Sequence, residues 1–301
     1  MDRARVPDAA VLAFVQVLFG SLSVVGKVAL PQVGPLALVA VRTGCAALIL
    51  VALERVLVGH KLARGDVRAL VVLSLFGVIL NQLFFLVGLS MTTAVDAVVL
   101  ITTIPAFTLA VAMVARRERF SPRKGAGMAV AFAGVVVLVG ASALEFGSAT
   151  FVGNLLVVIN SLFYSVFLVA SRPVLERMPP LTLTAGTFAV AAVVLLPVGL
   201  LGLGAVAPGK PDLLGWAAIA YIVLGPTVTT YFLVSFALVR VPASTVAAFV
   251  YLQPLAGGVL AVLLLGEAVP PDTVAAAALI FAGVGLVAFD SRGRRRFVPE
   301  A

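Results

Sequence analysis

Two short stretches of the chain, AVAFAGV at residues 129–135 and ALIFAGV at residues 278–284, repeat one another inside long apolar runs. They lie 149 positions apart, and the same offset brings further pairs into register. Those pairs are Pro105 with Pro254, Glu118 with Glu267, and Pro122 with Pro271. Near the start of each half an offset of 144 positions works instead, so that Gln16 meets Asn160. Matched prolines and acids at one fixed offset are hard to obtain by chance, so the chain is predicted to contain an internal repeat.

The apolar runs around these motifs are long enough to cross a membrane. Hydrophobic residues make up 62% of the 301-residue chain, charged residues only 11%, and the mean hydropathy is +1.20. A soluble domain is about 45–50% apolar and about 25% charged, and a membrane-spanning helix needs about 20 apolar residues. The predicted spans are 9–30, 35–53, 68–89, 94–115, 124–141, 152–171, 181–203, 213–236, 243–265 and 272–290. The sequence therefore predicts an all-α integral membrane protein with ten transmembrane helices, and it excludes soluble, disordered and disulfide-scaffold classes.

The positions of the basic residues predict which loops face the cytoplasm. With the N-terminus inside, 18 of the 21 Lys and Arg residues fall on cytoplasmic segments, as the positive-inside rule requires. The others are Lys27 and Arg42, inside spans, and Lys210 on the opposite side. This distribution predicts a multi-pass protein of a bacterial-type inner (plasma) membrane with cytoplasmic N- and C-termini. It also assigns the net charge of +8 to orientation and to contact with the lipid bilayer, and not to a nucleic-acid partner.

Five spans in each half have a topological consequence. Because five is odd, the second half (149–301) is predicted to enter the membrane from the side opposite to the first half (1–148). Glu118 is then expected in a cytoplasmic loop and its partner Glu267 in an external one. Inverted-topology repeats are characteristic of secondary transporters, whose substrate sites lie near the membrane midplane between the repeats. We therefore expect two inverted five-helix repeats that form one integrated transmembrane domain.

The five-plus-five pattern and its motifs resemble the EamA-type members of the drug/metabolite transporter superfamily over nearly the whole chain. The motifs that carry the resemblance are Phe19-Gly20-Ser21, Lys27, Arg42, Pro105 with Pro254, Glu118 with Glu267, and the Phe-Ala-Gly triplets at 132–134 and 281–283. The resemblance implies a ten-helix transporter. Members of known function mostly export amino acids and small metabolites, and some handle cationic drugs.

Charged residues inside spans need a reason, since a charge at the bilayer centre costs about 2.5–3.5 kcal/mol on insertion scales. Lys27 either lines a cavity or gate, or extends to the external headgroups. Arg42 is interpreted as a gate, as the counter-charge of an anionic substrate group, or as a structural partner of helix carbonyls or Asp96. Asp96 itself would bind a substrate amino group, carry a coupling proton, or cap its helix. All three residues are candidates for gates or charge pairs.

Uncharged polar residues are concentrated at repeat-related positions within the spans. The set comprises Gln16, Asn81, Gln82, Thr102, Asn160, Tyr164, Tyr231, Tyr251 and Gln253. Amides and tyrosine hydroxyls can hydrogen-bond an amino acid, so the set is predicted to line a substrate cavity. The alternative is that each residue joins neighbouring helices, at about 0.6 kcal/mol. Pro105 and Pro254 remove helix hydrogen bonds and are predicted to kink their spans at matching places, which points to a transporter site.

Enzyme classes find little support in the sequence. The chain has one histidine, His60, in a loop, and its aspartates are scattered without a paired motif for a metal. We therefore expect no cofactor, no metal and no catalytic residue. The leading hypothesis is a secondary transporter that exports amino acids or similar small metabolites by alternating access, with a second copy of the chain as a candidate partner. Efflux of cationic or aromatic drugs is the alternative within this class, and a non-transporting membrane sensor or scaffold is the alternative outside it.

Overall fold

The computed structural model describes residues 6–117, 122–143, 148–202, 204, 206 and 211–290, and these residues form helices and no strand. The helical segments among them are α1 (Val6–Leu57), α2 (Gly65–Met91), α3 (Ala94–Val114), α4 (Pro122–Ala143), α5 (Ala149–Leu175), α6 (Pro180–Leu200), α7 (Leu213–Arg240), α8 (Ala243–Leu265) and α9 (Pro271–Asp290). The predicted spans from the third to the tenth each coincide with one of the segments α2 to α9. The first two predicted spans both lie in α1. Of the residues singled out in the sequence, Glu118 and Lys210 lie outside the described residues.

The long helix α1 is interrupted at Gly34, whose φ of 72° and ψ of 164° are not helical. Glycine reaches positive φ without strain because it has no Cβ. Pro31 and Pro35 flank this position, and each proline lacks the backbone N–H that a continuous helix would use. Two arms result, one before and one after Gly34, and they correspond to the first and second predicted spans.

The helices α2 and α7 each contain a wider π-helical turn, at Leu75–Ile79 and at Leu224–Thr229. Gly77 lies in the first turn, where the ring of Phe167 occupies the space that a Cβ would need. Pro226 lies in the second turn and has no N–H to donate to a regular helix ladder. Because π-helical turns are frequent at functional sites, these two turns mark where to look for one.

The helices α3 and α8 are also irregular near their prolines. In α3 the helix is broken at Thr102 and Thr103, directly before Pro105. Each threonine hydroxyl donates to the carbonyl three residues earlier, at 2.5 and 2.7 Å. In α8 a 3₁₀ turn at Phe249–Leu252 precedes a π-helical turn at Pro254–Gly258. Both helices therefore change their angular register just before the proline.

Seven of the described helices are long and apolar enough to cross a membrane, with mean hydropathies of 1.9 to 2.5 over their most apolar stretches. Shorter apolar stretches, Gly125–Val137 and Pro271–Gly283, lie in α4 and α9. These two helices pack antiparallel through the Phe-Ala-Gly triplets, with Gly134 against α9 and Gly283 against the backbone of Ala131. The chain is thus a multi-pass helical membrane protein, as the sequence predicts.

Polar contacts gather at the two opposite ends of the bundle. At one, which we call the Glu54 end, the contacts are Thr182 Oγ1 to Glu54 Oε1 (3.0 Å), Arg177 Nε to Asp66 Oδ1 (3.1 Å) and Arg240 Nε to Asp8 Oδ1 (4.0 Å). At the other, the Glu267 end, they are Ala94 N and Val95 N to the Glu267 carboxylate (2.9 Å each), Thr273 Oγ1 to Asp96 Oδ1 (2.9 Å) and Asp212 N to Gln32 Oε1 (3.0 Å). Every one of these contacts joins the first half of the chain to the second.

Candidate central binding site

A small cavity lies between α1, α2, α3, α5, α7 and α8. The volume that water molecules can enter is about 50 Å³, which is room for a few waters. Its lining residues are Phe19, Leu22, Arg42, Asn81, Gln82, Phe85, Ile101, Ile104, Asn160, Tyr164, Tyr231 and Gln253. Both halves contribute to the lining, and six of the nine predicted cavity residues belong to it.

Arg42 carries the positive charge of this cavity and is only 2% exposed. Its Nε donates to Thr227 Oγ1 at 2.5 Å, and its Nη2 donates to the Pro226 carbonyl at 3.3 Å. Both partners belong to the π-helical turn of α7. No carboxylate of the described residues forms an ion pair with Arg42, so the partner is a helix carbonyl and not Asp96. The remaining guanidinium N–H groups are left for the cavity.

A hydrogen-bond network centred on Asn81 joins the two halves across the cavity. Asn160 Nδ2 donates to the Asn81 carbonyl at 2.7 Å. The Tyr231 hydroxyl donates to Asn81 Oδ1 at 2.8 Å and also lies 3.1 Å from the carbonyl of Gly77. The side chains of Asn81, Asn160 and Tyr231 are buried, so a bond that breaks leaves a polar group that can be satisfied again only from within the cavity. The network therefore ties α5 and α7 to α2.

Gln82 has an unusual hydrogen-bonding state. Its Oε1 accepts a hydrogen bond from Thr43 Oγ1 at 3.3 Å, which orients the amide. Its Nε2 is buried and forms no hydrogen bond of good geometry with a described residue. The Tyr231 hydroxyl is close to this amide, but its hydrogen is donated to Asn81 Oδ1. Leaving a buried polar group without a partner costs about 1–3 kcal/mol. The cavity thus contains a donor that is available to a bound molecule.

Gln16 supports the cavity from just outside its lining. Gln253 Nε2 donates to Gln16 Oε1 at 2.6 Å, and both side chains are buried. The bond lies where α1 crosses α8, one turn from the point at which Gly20 and Gly257 bring the two backbones into contact. Gln16 therefore fixes the position of a lining residue from the other half of the chain.

Aromatic rings form one wall of the cavity. The ring centroids of Phe19, Tyr164 and Tyr231 are 5.9 to 6.4 Å apart, and the pairs meet edge to face. Phe188 supports this cluster from behind, with its centroid 5.0 Å from that of Tyr231. The Tyr164 hydroxyl forms no hydrogen bond with any described residue. The wall can therefore pack an aliphatic or aromatic group and still offer one hydroxyl.

Thr102 and Tyr251, which the sequence predicts to line the cavity, lie elsewhere. The Thr102 hydroxyl is used within its own helix, on the carbonyl of Val99. Tyr251 packs against Phe281 with ring centroids 5.5 Å apart, and its buried hydroxyl has no partner in the described part of the chain. Tyr251 therefore joins α8 to α9 beside the cavity, whereas the Thr102 side chain bonds only within α3.

Lys27 and Asp96 also lie outside the cavity, at the Glu267 end. Asp96 accepts the bond from Thr273, while Thr93 caps α3 by accepting a hydrogen bond from the Asp96 N–H at 3.0 Å. Lys27 is half-buried, and its charge interacts with that of Glu267. The two predicted charges therefore belong to a polar cluster at one end of the bundle. Across the described residues, no group of three His, Cys, Asp or Glu side chains could hold a metal ion.

Several residues of the site are not among the cavity residues that the sequence predicts. Phe19 and Phe85 line the cavity, but the residue type of a phenylalanine does not distinguish a lining ring from a lipid-facing one. Thr43 and Thr227 hold Gln82 and Arg42. Thr227 follows Pro226 in the middle of an apolar span, and a threonine beside a mid-span proline is the one signal that could have identified it.

A multi-pass helical bundle with polar and charged side chains around an internal cavity is typical of membrane transporters. Comparison with known proteins gives the family. The model of the EamA-like transporter family matches residues 9–140 and 151–289. The chain therefore belongs to the EamA-like transporter family.

Individual relatives agree with this assignment. An uncharacterized transporter of Archaeoglobus fulgidus is 33% identical over 217 residues, which cover 71% of this chain and 74% of that protein. A probable terminal-alkyne amino-acid exporter of Streptantibioticus cattleyicolor is 30% identical over 203 residues, covering 66% of each chain. A crystal structure that covers 96% of this chain superimposes with a TM-score of 0.69 at 21% identity, which shows a shared fold.

Cysteine labelling tests which predicted residues reach water. We expect Tyr164→Cys, in a Cys45→Ser background, to react with a hydrophilic thiol reagent, because Tyr164 lines the cavity. Tyr251→Cys in the same background is expected to stay unlabelled, because Tyr251 is packed against Phe281. Labelling is read by mass spectrometry of the intact protein. Equal labelling of both variants would contradict the described boundary of the cavity.

Proposed function

We propose that the chain is a secondary transporter that exports amino acids or similar small metabolites by alternating access. The observation that carries the proposal is the cavity between the helices, whose polar groups come from both halves. Asn160 and Tyr231 of the second half bind Asn81 of the first, and Arg42 of the first half binds Thr227 of the second. A site held by contacts between two halves opens to one side or the other when the halves rock against each other.

The contacts at the two ends support an inverted arrangement of the halves. Asp8 and Glu54 lie at the Glu54 end, whereas Gly34 follows Gln32 at the Glu267 end, so α1 crosses the bundle twice. The first span therefore leaves the Glu54 end. The sixth span, α5, runs the opposite way, because Arg177 directly after it is at the Glu54 end. Opposite directions of the equivalent first spans are what an inverted repeat requires.

The irregular turns also support the repeat, with halves at 1–148 and 149–301. Helices and π-helical turns in the second half begin 149 positions after their counterparts in the first half. The matched pairs are the π-helical turns that begin at Leu75 and Leu224, the helices that begin at Ala94 and Ala243, and those that begin at Pro122 and Pro271. Matching irregular backbone in two halves is the feature expected near the substrate site of a repeat-built transporter.

Charge supports the orientation in a bacterial-type inner membrane. The Glu54 end carries two exposed basic residues, Arg55 in the last turn of α1 and Lys61 in the loop after it. It also carries the contact residues Arg177 and Arg240. By the positive-inside rule this end faces the cytoplasm, and the N- and C-termini lie on that side. The Glu267 end then faces outward.

Amino acids are favoured over the alternatives by the chemistry of the lining. Its amides, tyrosines and one arginine suit the backbone groups of an amino acid, and a relative is named as a probable exporter of an amino acid. Cationic drugs are disfavoured because no described carboxylate faces the cavity. Aromatic compounds stay an alternative because of the ring cluster around Tyr164. A sensor or scaffold would have no use for a polar cavity between mobile halves.

Counterflow in proteoliposomes tests the proposal. Vesicles loaded with an unlabelled amino acid are expected to take up the same labelled amino acid when the protein is present. Tyr164→Ala and Gln82→Ala are expected to lower the rate at least tenfold because both residues line the cavity. Leu263→Ala, on an exposed apolar side chain of α8, serves as the control and should keep the rate. Absence of exchange with every amino acid, drug and sugar phosphate offered would overturn the proposed function.

A further inference from the structure

We propose that the central cavity binds its substrate through a carboxylate, held by Arg42 and Gln82, and that the rest of the substrate is uncharged and apolar or aromatic where it meets the wall. This inference rests on the proposed function and names the substrate class of the same cavity. It predicts that an anionic group is required for binding and that an ammonium group is not.

The charge of Arg42 requires a partner that the described chain does not supply. A guanidinium has five N–H donors, and the hydrogen bonds to Thr227 and Pro226 use Nε and Nη2. Both acceptors are neutral, so the positive charge stays uncompensated at 2% exposure. A buried charge without an opposite charge is strongly unfavourable, and an anion entering the cavity relieves this cost. The planar guanidinium fork matches the two oxygens of a carboxylate.

Gln82 supplies a second donor beside this charge. Its Nε2 has no hydrogen-bond partner among the described residues, and Thr43 holds Oε1 so that the amino group is the free side of the amide. Both Gln82 and Arg42 line the same cavity. A carboxylate in this cavity offers two oxygens, one for Arg42 and one for Gln82 Nε2. Arg42 lacks a negative partner and Gln82 Nε2 lacks a hydrogen-bond acceptor, and a carboxylate supplies both.

The rest of the lining decides what the carboxylate is attached to. The other lining residues are uncharged, and Phe19, Tyr164 and Tyr231 form an aromatic wall. A second anionic charge on the ligand would have no partner, because Arg42 is the one cation of the described lining. A monocarboxylate is therefore preferred to a doubly charged phosphate. An amine without a carboxylate meets the charge of Arg42 and is rejected.

A ligand series measures this preference directly. The purified full-length protein in detergent is heated alone and with 3-phenylpropionate, phenylalanine, phenylalaninamide, phenethylamine or phenyl phosphate. 3-Phenylpropionate and phenylalanine are both larger than the cavity of about 50 Å³, so the two halves have to move apart to admit them. We expect both acids to raise the unfolding midpoint, because ligands that bind the folded state stabilise it. The amide, the amine and the phosphate should leave the midpoint unchanged. A shift with phenethylamine or phenylalaninamide as large as that with 3-phenylpropionate would overturn the proposal, and so would no shift with any carboxylate.

A charge substitution identifies the residues. Gln82→Glu puts a carboxylate into the cavity that Arg42 lines, at nearly constant volume, and it should weaken the binding of 3-phenylpropionate at least tenfold. Gln32→Glu is the matched control, because Gln32 lies at the Glu267 end and its Oε1 keeps accepting the bond from Asp212 N. Unchanged affinity in Gln82→Glu would overturn the assignment of the site.

The same experiments separate this inference from the proposed function. Counterflow of amino acids together with equal binding of phenethylamine would overturn the carboxylate site and leave the transporter intact. Binding of 3-phenylpropionate without counterflow of any substrate would support the carboxylate site and overturn the transporter. The two readouts are independent because the melting experiment involves no transport.

Discussion

Gly257→Ala is expected to destabilise the protein by about 1–3 kcal/mol or more, the cost of overpacking a well-packed contact. A Cβ at this position would lie 2.5 Å from the carbonyl oxygen of Gly20 and 2.8 Å from Cγ1 of Val98. The oxygen belongs to the backbone of α1, so it cannot turn away as a flexible side chain could. Helices in membranes associate through such close approaches of small residues. Because α1 belongs to the first half and α8 to the second, the substitution also pushes the halves apart beside the cavity.

The neighbouring glycine provides a control for this prediction. A Cβ on Gly258 would meet nothing within 4 Å, so Gly258→Ala should stay within about 0.5 kcal/mol of the wild type. Gly20→Ala should reproduce the effect of Gly257→Ala, since its Cβ would lie 2.8 Å from the carbonyl of Gln253. The midpoint of thermal unfolding is measured for all three variants in detergent, with size-exclusion chromatography used to monitor how much protein stays folded. Similar midpoints for Gly257→Ala and Gly258→Ala would contradict the described crossing of α1 and α8.

The membrane class and the positions of the helices could be predicted because hydropathy over about 20 residues reports directly on the solvent around a helix. Hydropathy does not report where a helix is interrupted or which helices contact each other. Gly34 divides α1 at the predicted boundary because glycine and proline act locally. The π-helical turn at Leu75–Ile79 carries no comparable signal, since it depends on Phe167 of a distant helix filling the space at Gly77. Local chemistry was therefore readable, and contacts between distant helices were not.

The cavity could be predicted only in part, for a related reason. Asn81, Gln82 and Tyr231 line it as expected from their polarity. Thr102 and Tyr251 have the same polarity but face away, because their helices are interrupted at Thr102 itself and at Phe249–Leu252. Such interruptions change the angle at which each residue projects, so a regular spacing of 3.6 residues per turn no longer locates a face.

Glu267→Gln is expected to shift the protein toward the conformation that is open at the Glu267 end. Both carboxylate oxygens of Glu267 accept backbone N–H bonds, from Ala94 and Val95, each at 2.9 Å. A carboxylate at a helix N-terminus also interacts favourably with the helix dipole. The glutamine amide would turn an NH₂ group toward one of these N–H donors and would remove the charge that faces Lys27. The contact joins the segment directly after α8, in the second half, to α3 of the first half, so its loss penalises the closed state selectively.

The expected size of this shift follows from the bonds that are lost. Loss of a helix cap costs about 0.5–2 kcal/mol, which changes a two-state population about 2- to 30-fold. Labelling of Tyr164→Cys by a membrane-impermeant thiol reagent applied outside intact cells should accelerate by that factor. Asp272→Asn is the matched control, because Asp272 is a carboxylate at the same end that interacts with Asp96 through its charge and forms no hydrogen bond with the backbone of Ala94 or Val95. If Asp272→Asn accelerated labelling as much as Glu267→Gln, a general electrostatic effect would account for both, and Glu267 would not be the contact that holds this end closed.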